Sequence, residues 1–312
     1  MYQKETINTL NQSDLINRLK KPEGVVDVVF DSDTYNEIDD QYALAYLIQN
    51  SNKLKLKALY AAPYFNDHSS SPKDGMEKSY AEIKKLLKLM EKENFYDLVF
   101  KGSEMYLTSE TEPVISDAAK DLADRAMNYT EEAPLYVIAI GAITNIASAL
   151  LINPAIRDRI VIIWLGGHSF EWHDNMEFNM RQDIAAARIV LGCGAAIVLL
   201  PCMGVVSHFY TTGPELEFYL KGKNQLCDYL LDLTLNYSKK YQEFPTWARA
   251  IWDVTAVAWL LNPDFMLDRF EHSPVPEYDN LWAVDKTRHF IRYVYHINRE
   301  KLFHDLFEKL SL

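Results

Sequence analysis

The 312-residue chain lacks most of the marks by which several protein classes announce themselves. It has only three cysteines, Cys193, Cys202 and Cys227, and no CxxC pair. An odd number without close pairing excludes a disulfide framework and points to a reducing, cytoplasmic setting. No run of Lys or Arg exceeds a pair and the formal net charge is −12, so the basic face that nucleic-acid binding needs is missing. No apolar stretch reaches membrane-spanning length. Residues 1–24 are polar and charged, without the apolar core of a signal peptide. No glycine-rich nucleotide loop follows a strand, and no Gly-x-Ser-x-Gly elbow occurs. Gly192-Cys193-Gly194 comes at a helix end and reads as a cap and turn. His168 and His173 are poorly spaced for zinc and each reads first as a solvated loop histidine, with lining of a site after Gly166-Gly167 as the second reading.

What is present is a regular alternation of apolar β-rich runs and amphipathic helices. Strands are expected at 25–30, 54–62, 98–100, 135–140, 160–165 and 196–200, with helices at 38–49, 78–92, 113–128, 144–151 and 183–191. The strand runs are continuously apolar, which fits burial on both faces of a parallel sheet. Residues 214–262 change character and read as mostly helical, with a buried helix over 250–261. A hairpin over 282–297 and a last helix over 299–310, capped by Asn298, complete the pattern. The fold class is α/β: an open, mainly parallel, doubly wound (Rossmann-like) sheet with a helical cap region, 1–312 forming one domain.

The densest chemical signal is Asp31-Ser32-Asp33-Thr34-Tyr35-Asn36-Glu37-Ile38-Asp39-Asp40, directly after the first strand. Ligands of open α/β sheets bind at the carboxyl ends of strands. Carboxylates this close repel, and a hard cation removes the conflict; oxygen-only donors point to Ca²⁺ or Mg²⁺ rather than zinc. Asp39 and Asp40 also open a helix, where the dipole favours negative charge. An EF-hand is excluded because Asn36 stands where its glycine belongs. Asp253 is a second signal, since a charge inside the apolar run 250–261 needs a partner or a cation.

The aspartate run resembles the Asp-x-Asp-Pro-Gly-x-Asp-Asp signature of the inosine/uridine-preferring nucleoside hydrolases. Two extra residues separate Asp33 from Asp39, and Thr-Tyr-Asn-Glu replaces Pro-Gly. The segment 137–147, ending Thr144-Asn145-Ile146-Ala147, resembles that family's strand-to-helix signature. Glu177-Phe178-Asn179 followed by Asp183 resembles its Glu-Phe-Asn motif, and Trp252-Asp253 its C-terminal metal-binding segment.

The resemblance implies the nucleoside hydrolase fold and Ca²⁺-dependent hydrolysis of the N-glycosidic bond of ribonucleosides to free base and ribose. It implies Asp33, Asp40, Asp253 and the Ile140 carbonyl as metal ligands, with Asp33 also the general base. Asp39, Asn66, Glu177, Asn179 and His168 are expected around the ribose, and Trp252 on the base, as in purine-preferring members. Asp31 and Glu37 are expected to support the others. The partners implied are a small-molecule nucleoside and further copies of the chain, as a homodimer or homotetramer. Two alternatives stay open: a non-catalytic nucleoside or ribose sensor, and a phosphatase of the haloacid dehalogenase type, which also begins with Asp-x-Asp after a strand.

Overall fold

Residues 12–241 and 244–312 are described in the structure, a computed structural model; residues 1–11 of the polar N-terminal stretch and 242–243 of the expected cap lie outside the described residues. Eight strands make one sheet: β1 (Val26–Ser32), β2 (Leu54–Ala61), β3 (Val99–Lys101), β4 (Leu135–Ala139), β5 (Ile160–Leu165), β6 (Ala196–Leu200), β7 (Met266–His272) and β8 (Phe290–Ile297). Their order across the sheet is β3-β2-β1-β4-β5-β6-β8-β7. Every neighbouring pair is parallel except β8 with β7.

The apolar runs explain this architecture. Along β1, β4, β5 and β6 successive side chains enter two different cores: Phe30, Ile138, Ile163 and Val198 pack on one face, and Val29, Val137, Ile162 and Ile197 on the other. Helices Asp39–Gln49, Pro72–Leu89 and Arg299–Leu310 cover the first face; Asp117–Arg125, Thr144–Ile152 and Ile184–Gly192 cover the second. The chain leaves β1 toward β2 and β3, then returns to add β4 on the other side. The carboxyl ends of β1 and β4 therefore flank a crevice, the usual binding position in such sheets.

Several expected boundaries move for identifiable reasons. The helix expected at 78–92 begins at Pro72, because Ser71 Oγ accepts from Asp74 N at 3.1 Å and proline suits the first turn. The helix expected at 113–128 starts only at Asp117, where Ser116 Oγ accepts from Ala119 N at 3.1 Å, and ends in a tight turn over 126–128. The expected hairpin over 282–297 does not form: β8 pairs with β7, and Trp282–Ala283 pairs with Val275–Pro276. Strand β7 carries Asp268, Arg269 and Glu271, charges that an edge strand tolerates and that disguise it as a loop. The buried helix expected over 250–261 shrinks to Val254–Ala258, while Arg249–Ala250 pairs antiparallel with Tyr210–Thr211. Asn298 caps the last helix as expected, accepting from Lys301 N at 3.2 Å. Among the described residues no helix is long and apolar enough to cross a membrane.

The two-sided core sets the stability. Ile163 is fully buried in a central strand, within the first of the two cores. Ile163→Ala should cost about 2–5 kcal/mol, read as a lower urea midpoint with an unchanged slope.

Candidate active site

Strand β1 carries its last residues into the crevice. Asp31 turns inward, and its Oδ2 accepts from Asn145 Nδ2 at 2.7 Å. Asn145 Oδ1 in turn accepts from the backbone and hydroxyl of Ser103, each at 2.8 Å. Burial pushes the Asp31 carboxyl up to about 7, against that bond from Asn145. Asp31 is thus tied to Asn145 and does not line the cleft, while its Oδ1 is buried without a partner. Ser32 Oγ donates to Asp40 Oδ1 at 2.6 Å and so aims the second helical aspartate. Asp33 has room because Gly141 faces it: a Cβ there would lie 3.1 Å from Asp33 Oδ1. Asp33 Oδ2 is buried without a hydrogen-bond partner.

Asp39, Asp40 and Asp253 converge, each offering an oxygen within 4.8 Å of the others. The expected set had Asp33 in place of Asp39; Asp33 shares the cleft but lies outside this tightest trio. Repulsion between ionised carboxylates at that separation is about 3 kcal/mol per pair at an effective dielectric of 20. Burial first, then neighbouring aspartates, pushes Asp33, Asp40 and Asp253 well above the usual carboxylate range. Burial raises Asp39 too, opposed by the cation of Arg249. The donors are all oxygen, crowded and short of positive charge, and one is orphaned. This set fits a hard divalent cation.

Of the residues expected at the site, all but Asn66 line one cleft of about 220 Å³. The Ile140 carbonyl, at the end of β4, accepts from Asn179 Nδ2 at 3.2 Å, and the same nitrogen donates to Leu165 O at 3.0 Å. Asn179 thus ties the ends of β4 and β5, leaving its Oδ1 as the free acceptor. Glu177 caps the short helix Phe178–Gln182, accepting from Gly167 N, Asn179 N and Met180 N at 2.8–2.9 Å. Burial pushes its carboxyl up to about 7 although these amides favour the charged form. Gly167 has φ +75°, and a side chain there would strike Trp282 and Asn175 Oδ1. Asn175 accepts from His168 N at 2.8 Å and so shapes the loop. His168 Nδ1 accepts from Met203 N at 3.3 Å, and burial lowers its pKa.

Asn66 stands outside the lining. Its Nδ2 donates to Asn36 Oδ1 and its Oδ1 accepts from His68 N, so it touches Asn36, which does line the cleft. Glu37, expected only as a support, also lines it. Arg249 was not singled out in the sequence; it is buried, ion-paired with Glu37 and stacked on Trp252. Its one signal is a lone cation at the border of the apolar run that holds Asp253.

Residues 28–302 match the family described as inosine-uridine preferring nucleoside hydrolase. The non-specific ribonucleoside hydrolase RihC of Salmonella schwarzengrund is 28% identical over 162 residues, 51% of each chain. The pyrimidine-specific ribonucleoside hydrolase RihB of Escherichia coli O1:K1 is 27% identical over 154 residues, 47% of each. The chain thus spans about half the length of the curated relatives it matches. The solved purine-preferring ribonucleoside hydrolase of Gardnerella vaginalis superposes with a TM-score of 0.74 at 17% identity, over 91% of this chain and 98% of that one. A plant nucleoside hydrolase superposes at 0.72 and 18% identity, over 92% and 99%. These likenesses establish the fold.

The raised carboxyls have a thermodynamic consequence. Asp33, Asp39, Asp40 and Asp253 hold protons more tightly folded than unfolded, where their ordinary value is 3.8. Metal-free protein should therefore lose stability as pH rises above that value. A divalent cation replaces those protons, so its stabilisation should grow with pH. Melting curves at pH 5 and pH 8, with chelator or with Ca²⁺ or Mg²⁺, should show the larger rise in Tm at pH 8. An equal rise at both would contradict the site.

Proposed function

The chain belongs to the inosine-uridine preferring nucleoside hydrolase family, and from that premise we propose that it hydrolyses the N-glycosidic bond of ribonucleosides to free base and ribose, with Ca²⁺ bound and with preference for purines. The observation that carries this reading is the convergence of Asp39, Asp40 and Asp253 beside the orphaned oxygen of Asp33, at the crevice between β1 and β4. Asp33, Asp40, Asp253 and the Ile140 carbonyl are the residues that would hold the cation, with Asp39 close enough to share it. When bound, such a cation lowers the pKa of a water and orients hydroxyl groups.

The protein's own groups divide the remaining work. Asp33 Oδ2, buried and without a partner, accepts the proton of the attacking water. Asp39 and Asn179 hold the ribose; because Asn179 Nδ2 is engaged by two carbonyls, it is Oδ1 that receives a sugar hydroxyl. Glu177 has used three of its roughly four lone-pair sites on backbone amides and keeps one for a hydroxyl at the far end of the sugar. His168 narrows the cleft beside it. Trp252 offers an aromatic wall, and a larger purine gains more from stacking than a pyrimidine.

Release of free base and reducing sugar tests this directly. Inosine should be cleaved faster than uridine, and chelator should abolish both reactions. Asp33→Ala should lower kcat by about 10²–10⁴-fold, the range for a lost general base. Unchanged turnover by that variant would remove Asp33 from the reaction, and tight nucleoside binding without ribose release would make the protein a sensor.

A further inference from the structure

The chemistry above leaves a buried cation beside the cleft, Arg249, without a task. Arg249 is 8% exposed. Its guanidinium carbon lies 4.7 Å from the Trp252 ring centroid and 4.7 Å from that of Tyr237, so the group is sandwiched between two aromatic side chains. Its Nη2 donates to Glu37, a cleft-lining residue, and Glu37 and Asp39 are the acidic groups that face it. Arg249 Nε and Trp252 Nε1 are both buried without a partner. Trp252 and Glu37 border the cleft, so Arg249 touches two of its walls without lining it.

A desolvated arginine is costly to bury, and here the cost is met by two rings, the ion pair with Glu37 and the nearby Asp39. Hydrolysis breaks the bond from C1′ to the base nitrogen, and the electron pair leaves with the base. The water oxygen bonds to C1′, one water proton passes to Asp33, and the departing base finally takes up a proton. Until then the base carries negative charge, and the indole wall has no acid to neutralise it. A fixed cation near a desolvated site acts strongly on such developing charge.

We propose that Arg249 is the positioning residue for the leaving group: clamped between Tyr237 and Trp252 and tied to Glu37, it fixes the indole wall and backs it with positive charge where the departing base gathers electrons. This rests on the nucleoside-hydrolysing reading, and it makes unactivated bases the substrates that depend on Arg249.

The test compares inosine with p-nitrophenyl β-D-ribofuranoside, whose leaving group needs no assistance. Arg249→Met and the double variant Arg249→Met/Glu37→Gln are assayed on both; the double variant removes the ion-paired carboxylate together with its cation and keeps the test open should the single variant not fold. The inosine kcat should fall on the order of 10²-fold, the low end of the range for loss of one preorganised electrostatic group. The p-nitrophenyl rate should fall far less, and Arg249→Lys should recover part of the inosine rate. Equal losses on both substrates, or an unaffected inosine rate in the double variant, overturns the proposal. Failure of the unaltered protein to cleave either substrate overturns the hydrolytic reading, and this proposal with it.

Discussion

Burying a carboxylate in a medium of low dielectric costs several kcal/mol unless something compensates it, and this chain buries four around one point. Much of the surrounding structure answers that constraint. Helix Asp39–Gln49 begins at two of the acids, where its dipole is favourable. Ser32 donates to Asp40, the backbone of Asp253 donates toward Asp39 at 3.4 Å, and Arg249 supplies one positive charge nearby. None of these neutralises the group. Protons or a divalent cation must do so, and for that reason stability and chemistry are joined at the same oxygens.

The parts of this arrangement that could be read from the sequence are those in which a charge stands against an apolar background. Asp33, Asp39 and Asp40 follow a strand that is buried on both faces, and Asp253 interrupts an apolar run, so each is conspicuous on energetic grounds. The parallel sheet was legible for the same reason, since its strands are uninterrupted apolar runs. Strand β7 was not, because a strand at an edge needs no such run and its charges imitate a loop. The hairpin expectation failed with it: β8 was recognised, but its true partner lies before the Val275–Ala283 ribbon rather than within it. Arg249 escaped because its significance lies in contacts with Glu37 and Tyr237, far apart in the chain, which no local pattern reports.

Glu177 and Asn179 show why a motif can be recognised before its geometry is understood. Both were expected to meet the sugar, yet each also holds the protein together: Glu177 gathers three backbone amides, and Asn179 links the carbonyls ending β4 and β5. Their rotamers are consequently fixed before any ligand arrives. Such double duty lowers the ordering needed on binding, at the expense of leaving few free hydrogen-bonding positions on either side chain.

The cleft has walls of two kinds, and they differ in how freely they can change over generations. Its floor is made of residues committed to other parts of the fold, such as Asp40 to Ser32 and Asn179 to two strand ends. Met176, by contrast, lines the same cleft while 53% exposed. A substitution there disturbs little of the core, whereas one in the floor disturbs folding and function at once. Descendants of this chain can therefore drift in what they admit at the rim while the machinery beneath stays frozen, so that new substrate ranges arise without renegotiating the fold.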